Sequence, residues 1–367
     1  MHHDNHYIMP PEFFGRPTFP LAWPELNWLS QLPKDTYFAL WVCLPSGSPT
    51  PRDLPLGHSL YVVTFHQEHL DFAWLAAQAQ RIDAPIIVLN DGSVYDFPFG
   101  DHVHFFNYYS WHHHMDTMMT WFPDRQPRNL RYKVSAVCNR ITQAKLLVFT
   151  ALMKYHARDQ LLVKLGDWLE EKNVHFRQPT GMPELDQLSE EFFERWHGQN
   201  LQIDDFVNAR DNTQRVNSNP WQPIYTQSAL HFTNESYHYS QMITKEYGNI
   251  IYPGPSYSEK TFKCLVAGTP FIAVGQFESY RYLQELGFLF DYGDIDLSWD
   301  QDAGNLTRMR SLVQLIQTLA HYSIQDLDLM TRDSTLHNTH HLWSGEFGRR
   351  CRAHNQQVAQ HVLDRFR

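Results

Sequence analysis

The sequence predicts an α/β protein with two consecutive doubly wound lobes and terminal helices. Apolar, strand-like runs alternate with segments whose apolar residues recur at helical spacing, which is the pattern of a parallel sheet covered by helices. This alternation runs over residues 59–91 and begins again near residue 133. The chain has 367 residues, of which 43% are hydrophobic and 14% aromatic, so its length and composition allow two domains with a core in each.

The first lobe opens with a strand–helix–strand unit. SLYVVTFH, which starts at residue 59, and APIIVLND, which ends at residue 91, are apolar runs, and HLDFAWLAAQAQRI between them has helical periodicity. A further strand is predicted at 102–109 and a further helix at 111–122. Upstream, YFALWVCL at 37–44 predicts one short strand in an otherwise irregular stretch.

The segment PDRQPRNLR combines turn residues with charge, so the sequence predicts an N-terminal lobe over 1–130 and a C-terminal lobe over 131–367. Ligands of doubly wound sheets bind at the carboxyl ends of the strands, facing the crevice. The elements predicted for the second lobe are strands at 133–139, 228–233 and 269–275, and helices at 142–157, 182–196, 256–268, 279–287, 305–322 and 346–366.

Charge and cysteine content exclude several classes of protein. The formal net charge of −10 gives no general attraction to nucleic acid or to anionic membranes. The best candidate for a local basic patch is the run Arg125, Arg128, Arg131 and Lys133, although a short run interrupted by proline is typical of a solvated linker. The four cysteines lie far apart and form no CxxC pair, so neither a disulfide framework nor a zinc site is predicted.

The N-terminal residues MHHDNHYIMPPEFFGRP are polar and proline-rich, unlike a signal peptide. No stretch approaches the roughly 20 apolar residues that a membrane helix needs. We therefore expect a cytoplasmic protein of a bacterium or a phage-infected cell, with no membrane partner.

The segment Pro-Ser-Tyr-Ser-Glu-Lys, residues 255–260, opens a predicted helix after a Gly-Pro loop. Backbone N–H groups at a helix N-terminus favour phosphate, and Lys260 adds a compact positive charge. Glu259 is placed to accept hydrogen bonds from ribose hydroxyls. The alternative is structural, because Ser256-x-x-Glu259 also fits a capping box.

Two motifs in order, LHFTNES at 230–236 and SYSEKTFKCLVAGTPFIAVG at 256–275, resemble the donor-binding signature of α1,3-fucosyltransferases. The second is also similar to uncharacterised phage and bacterial proteins of this kind. VSAVCNRITQAKLLVFTALMKY, residues 134–155, is similar to the family segment that carries a phosphate-binding arginine. The resemblance covers about residues 131–292. It implies a GT-B-type glycosyltransferase, with two Rossmann-like lobes and a cleft between them.

The resemblance also implies a set of donor-binding residues. Glu259 matches the ribose-contacting glutamate, Lys260 the lysine on the donor phosphates, and Asn139 the asparagine at a strand end. Lys145 falls where the family has its phosphate-binding arginine, so either Arg140 takes over that role or the donor differs from the family's. For Asn139 the alternative is strand-end turn chemistry, and for Lys145 it is a solvated helix face.

Two further positions are shifted against the family pattern. Glu235 lies one or two positions from the family's strand-end glutamate, and Tyr257 is one residue closer to the Glu-Lys pair than the family's tyrosine. The alternatives are a strand-end turn for Glu235 and a packed aromatic ring for Tyr257. These departures leave the nucleotide base and the sugar open.

The catalytic base is expected in the first lobe. A base must reach the acceptor hydroxyl, and the turn TFHQEHLD at 64–71 offers His66, Glu68, His69 and Asp71 at a strand end. The alternative is ordinary helix N-terminal polarity, since acidic residues there complement the helix dipole.

Metal binding is not predicted. His337, His340 and His341 have helix-compatible spacing, but no HExxH-type pattern accompanies them. Asp294-Ile-Asp296 has the D-x-D form of metal-dependent glycosyltransferases, yet we expect a solvated turn. Transfer is therefore expected without a metal or a cofactor, since the nucleotide-sugar is itself a substrate.

Three functional hypotheses follow. The first is transfer of sugar from a nucleotide-sugar donor to a hydroxyl of a glycan or small molecule. The second is a phage-type DNA glycosyltransferase that acts on hydroxymethylated pyrimidines, which needs a basic cleft. The third is a non-catalytic nucleotide-sugar-binding protein.

Overall fold

The computed structural model describes residues 28, 31–32, 37–42, 53–65, 72–90, 101–109, 111–138, 142–165, 179–197, 219–235, 241–244, 248–251 and 257–366. The strands among them are β1 (Tyr37–Val42), β2 (Leu60–Phe65), β3 (Ile86–Asn90), β4 (Val103–Asn107), β5 (Tyr132–Cys138), β6 (Leu161–Leu165), β7 (Ser228–Asn234), β8 (Gln241–Thr244), β9 (Gly248–Ile251) and β10 (Phe271–Val274). The helices among them are α1 (Phe72–Arg81), α2 (Trp111–Trp121), α3 (Gln143–Tyr155), α4 (Pro183–Arg195), α5 (Pro223–Thr226), α6 (Glu259–Ala267), α7 (Ser279–Glu285), α8 (Asn305–Leu319), α9 (Ile324–Trp343) and α10 (Glu346–Phe366).

The chain divides into two compact units. The first comprises Met1–His113, Gln241–Ser256 and Phe347–Arg367, and the second comprises His114–Ser240 and Tyr257–Glu346. Both contain parallel strands with helices between them, so the predicted α/β class is confirmed.

The first unit contains a parallel sheet in the order β1-β2-β3-β4, and β8 pairs with β9 as an antiparallel hairpin. Alternate residues of β2 and β3 face two different clusters. Leu60 and Val62 join a cluster with α10, whereas Tyr61 and Val63 join a cluster with α1. Because both faces are covered, these strands are apolar over most of their length, as is typical of buried parallel strands.

Helix α10 packs onto the sheet of the first unit. Val362 and Leu363 lie in the same cluster as the β2 residues, with 0% and 2% of their surfaces exposed. The amide of Asn355 accepts a hydrogen bond from the Tyr109 N–H and donates one to the Tyr109 carbonyl, both at 2.8 Å. These units differ from the predicted lobes, because the sequence predicted a boundary after residue 130 and placed every terminal helix in the second lobe. The contacts between α10 and the first sheet join residues that are distant in sequence, so they leave no local signal.

The second unit contains a parallel sheet in the order β10-β7-β5-β6. Every residue of β7 is buried, which fits a central strand covered on both faces. Helix α3 packs against α4 and α8, and α6 packs against α9. The middle of α3 is buried on all sides, from Ala144 to Leu152, so it lacks an amphipathic pattern.

Two members of the basic run lie at the amino ends of these strands, where Lys133 is buried and Arg128 is mostly buried. Arg128 donates from NH2 to the carbonyls of Ser228 and Ala229, at 2.7 and 3.1 Å. Lys133 donates from Nζ to the carbonyl of Ala320 at 2.7 Å and is 3% exposed. The prediction of a solvated linker is therefore wrong for these two residues, because buried carbonyls at this edge require donors.

Shortening a side chain of α10 that faces the sheet should destabilise the first unit. We expect Leu363→Ala to lower the free energy of unfolding by about 2–5 kcal/mol, since it opens a cavity in a closed apolar cluster. Urea unfolding combined with hydrogen exchange of the β2 and β3 amides measures the loss. Gln357→Ala, on the exposed side of α10, is the control. Equal effects of the two substitutions would contradict this packing.

Candidate functional site

The order of the second sheet creates a switch point between β5 and β7. The chain passes from β5 to β6 on one side, while β7 and β10 lie on the other. Ligands of open α/β sheets bind at the carboxyl ends of the strands at such a point. Here the strands end at Cys138 and Asn234, and Asn234 bridges them by donating from Nδ2 to the Val137 carbonyl at 3.2 Å. Among the described residues, its side-chain oxygen has no hydrogen-bond partner and is buried.

Glu235 follows β7 and is 1% exposed. Its Oε2 accepts hydrogen bonds from the Ser258 N–H, at 2.9 Å, and from the Ser258 hydroxyl. Its Oε1 accepts from the Thr261 hydroxyl. One carboxylate therefore joins the end of the central strand to the beginning of α6.

The cap of α6 differs from the predicted capping box. Ser258 is the N-cap, and its hydroxyl accepts from the Lys260 N–H at 3.4 Å. Glu259 is then the first helical residue and cannot fold back as the third residue of a capping box does. The assignment of Ser256 as the cap is wrong, because Glu235, a residue distant in sequence, supplies the acidic partner.

Opposing effects act on the pKa of Glu235. Burial raises this pKa, which is the largest effect, and the negative charge of Glu259 raises it further. The positive charge of Lys260 and the hydrogen bonds from Ser258 and Thr261 lower it. The net shift is upward, so the donors around the carboxylate only partly offset its desolvation.

The side chains of Glu259 and Lys260 are partly exposed, at 42% and 25% respectively. These are the two residues that the sequence indicates most strongly as donor-binding. The Lys260 ammonium donates to the Ser258 hydroxyl at 2.9 Å and lies 3.8 Å from Glu259 Oε1. Lys263, which the sequence analysis misses, lies 3.9 Å from the same oxygen, and burial lowers its pKa. The sequence signal for Lys263 is its position four residues after Glu259, which is the spacing of an ion pair on a helix.

Lys145 lies in the first turn of α3, where the Thr142 hydroxyl accepts from its N–H at 3.3 Å. It is 6% exposed, so the alternative of a solvated helix face is wrong. Its positive charge lowers the pKa of the Cys138 thiol, although burial raises that pKa to about 12. Lys145 thus places a positive charge near Cys138, at the end of β5.

Tyr257 lies inside the protein. Its hydroxyl donates to the Ser279 carbonyl and its ring stacks on Tyr282, with 5.5 Å between the ring centres. This is the packed aromatic of the alternative interpretation. Nearby, a Cβ atom at Gly275 would lie 3.0 Å from the Ser279 hydroxyl and 3.7 Å from Glu235 Cγ, so a larger residue there would crowd the beginning of α7.

The remaining predicted site residues lie outside the described part of the chain. These are Asn139 and Arg140 after β5, and His66, Glu68 and Asp71 between β2 and α1. Their assigned roles stay predictions.

Two of the three histidines of α9 have structural partners. His337 and His341 contact the carbonyls of Gly287 and Leu286 through Nε2, at 3.0 and 2.9 Å. In the described part of the chain, no three His, Cys, Asp or Glu side chains are arranged to hold a metal ion. Asp296 accepts from the Ser298 N–H at 2.8 Å in an exposed turn, as expected for the D-x-D segment.

Ser135 and His231 form a contact that resembles a nucleophile–base pair. The hydroxyl lies 2.8 Å from His231 Nδ1, but it also lies 2.7 Å from the Ile224 carbonyl and 2.6 Å from the Ser228 hydroxyl. Ser135 is 0% and His231 is 2% exposed. Since a substrate cannot reach either group, this network supports the core.

Comparison with protein-family models, with curated proteins and with solved structures finds no match. The resemblance to α1,3-fucosyltransferases therefore rests on the motifs quoted above. Within the described ranges, no helix has the length and apolar character needed to span a membrane. The cytoplasmic location stays a prediction.

Removing the hydroxyl of the cap should weaken the site. We expect Ser258→Ala to lower the free energy of unfolding by about 1–3 kcal/mol, because α6 loses its N-cap and buried Glu235 loses a donor. Urea titration measures the change. Ser256→Ala, at the position that the local pattern favours as the cap, should have little effect. The reverse order of effects would overturn the assignment of the cap.

His231 should make the second unit sensitive to acid. Burial lowers its pKa from 6.5 to about 3, with a smaller contribution from Lys263. The unfolded chain therefore binds this proton at higher pH, so the stability due to neutral His231 is complete above 6.5 and is lost as the pH falls towards 3. We expect His231→Asn to be destabilising at neutral pH, with the difference from wild type shrinking across that window. Urea unfolding at several pH values tests this, and a constant difference would contradict it.

Proposed function

We propose that the chain is a glycosyltransferase whose second unit binds the diphosphate of a nucleotide-sugar at the switch point of its sheet. The observation that carries the proposal is the placement of two lysines. Lys260 and Lys145 lie in the first turns of α6 and α3, where the helix dipole disfavours positive charge. An anion bound between the helix ends would offset this repulsion, and helix N-termini commonly bind phosphate.

The neighbouring residues suit a nucleotide diphosphate. Glu259 is partly exposed on the first turn of α6 and can accept hydrogen bonds from ribose hydroxyls. Lys260 is partly exposed beside it and supplies a positive charge to the phosphates. Glu235 does not contact the donor in this proposal, because its oxygens already accept from Ser258 and Thr261. Its role is to hold the start of α6 in place.

In the proposed reaction, the bond between the sugar C1 and the β-phosphate oxygen breaks, and a bond forms between C1 and the acceptor oxygen. The nucleotide diphosphate leaves with the bonding electron pair, so negative charge grows on it. Lys260 and the N-terminus of α6 stabilise this charge. The acceptor hydroxyl loses its proton to a base, for which His66, Glu68 and Asp71 are the candidates.

The acceptor proposed is a hydroxyl of a glycan or small molecule. The DNA alternative depends on the basic run 125–133, in which Arg128 and Lys133 already bond backbone carbonyls. Because these two positive charges already serve backbone carbonyls, the contacts do not favour a DNA-binding cleft formed by this run. The non-catalytic alternative shares the same donor site and differs only in turnover.

Thermal unfolding with UDP, GDP and dTDP sugars tests donor binding, and CMP sugars, which carry a single phosphate, serve as the comparison. A ligand at about 100 times its dissociation constant should add roughly 2.7 kcal/mol of stability. We expect one nucleotide family to stabilise the protein and Lys260→Ala to abolish the effect. Lys154→Ala is the matched control, since Lys154 lies on α3 and pairs with Glu191 at 3.1 Å.

The outcomes separate the alternatives. Absence of stabilisation by every donor would refute the proposed site. Stabilisation without sugar transfer to any acceptor would favour the non-catalytic protein. Once an acceptor is found, substitution of the true base should abolish transfer while leaving donor binding intact.

A further inference from the structure

A groove lies at the opposite edge of the second sheet, near the amino ends of its strands. It has a volume of about 390 Å³ and is bounded by the segment before β5, the end of α6 and the middle of α9. Small-molecule sites in proteins commonly have volumes of about 300–1,000 Å³. The groove therefore has room for a small ligand.

The groove carries excess positive charge. Arg125, Arg128 and Arg332 line it, and Asp328 is the only acidic residue among the described lining residues. Three guanidinium groups against one carboxylate leave an excess of two positive charges, which is unusual in a protein whose formal net charge is −10.

Two of these arginines converge on the same carboxylate. Arg332 donates from NH2 to Asp328 Oδ2 at 3.0 Å, and Arg128 NH1 lies 3.8 Å from Asp328 Oδ1. A planar oxyanion is thus already held between two guanidinium groups. Arg125 is exposed and has neither an ion-pair nor a hydrogen-bond partner among the described residues. Its charge is available to a ligand.

An alternative use of the arginines would be to cap the carboxyl end of α6. Three of its last four carbonyls already have partners, however. The Cys264 carbonyl accepts from Thr269 N–H at 2.8 Å, that of Leu265 from Gly268 N–H at 3.3 Å, and that of Val266 from Trp343 Nε1 at 3.2 Å. The arginines are not required for these three carbonyls.

The shape of the groove adds a second feature. Leu336 lines it and is 56% exposed, which provides an apolar wall beside the charged one. Gly268 has a φ of +65°, and a Cβ atom there would lie 2.9 Å from the Thr339 hydroxyl and 3.5 Å from Arg125 NH2. Glycine therefore permits the left-handed turn and keeps this part of the groove open.

We propose that this groove binds a small molecule that carries a phosphate group and an apolar part. Arg125 and Arg332 hold the phosphate, since guanidinium groups match phosphate oxygens in pairs, and Leu336 contacts the apolar part. The site is separate from the proposed donor site and does not depend on it, because Lys260 lies at the other end of α6.

The test is calorimetric titration of the full chain with phenyl phosphate, inorganic phosphate and benzyl alcohol at low ionic strength. We expect phenyl phosphate to bind more tightly than inorganic phosphate, and benzyl alcohol not to bind. Arg125→Gln should weaken phenyl phosphate binding about tenfold, as expected for loss of a charge-assisted hydrogen bond. Asp328→Asn should strengthen it, because the competing carboxylate loses its charge.

Two controls locate the binding. Arg310→Gln changes an exposed arginine outside the groove, 3.8 Å from Glu184, and should leave affinity unchanged. Lys260→Ala should also leave it unchanged, which separates this site from the proposed donor site. The proposal is overturned if phenyl phosphate does not bind, if Arg125→Gln has no effect in a folded variant, or if Lys260→Ala abolishes binding. Weaker binding to Asp328→Asn would also refute it.

Discussion

The buried carboxylate of Glu235 is the constraint on which the carboxyl edge of the second sheet depends. A carboxylate removed from water is costly unless donors replace the lost solvent, and Ser258 and Thr261 supply them. Since Glu235 follows β7 directly and Ser258 directly precedes α6, one contact fixes where the helix begins relative to the central strand. The positions of Glu259 and Lys260 follow from it.

A second buried acid extends the same arrangement to α7. Asp300 is 2% exposed, and its two oxygens accept from the N–H groups of Ser279 and Tyr280 at 3.1 and 2.9 Å. The Ser279 carbonyl in turn accepts from the hydroxyl of Tyr257, the residue that precedes the cap of α6. Two helix N-termini are therefore held by acids from other segments and joined to each other through a tyrosine. These buried contacts support the partly exposed Lys260 at the edge of the sheet.

Sequence patterns predicted the alternation of strands and helices because apolar periodicity is local. The same locality explains the errors at the site. The capping-box pattern considers only residues close together in sequence, so it favoured Ser256 and could not identify Glu235 as the acidic partner of α6. Lys145 is buried rather than on a solvated face because other elements cover α3 on every side. The apolar residues of α3 alone do not reveal this. Arg128 was judged solvated because its carbonyl partners are separated from it by about 100 residues.

Positive side chains at the two edges of the second sheet lie at opposite ends of the helix dipoles. At the carboxyl ends of helices, Lys133 donates to the carbonyl of Ala320 after α8, and His341 contacts that of Leu286 after α7. Both follow the helix dipole, which favours donors and positive charge at that end. Lys145 and Lys260 oppose it, because they lie in first turns, where acidic residues are the favourable choice. An anion bound at these two helix ends would remove the unfavourable interaction of Lys145 and Lys260 with the dipoles. The placement of the two lysines at helix N-termini supports the proposed phosphate site, although Lys260 also offsets the buried charge of Glu235 and donates to the Ser258 hydroxyl.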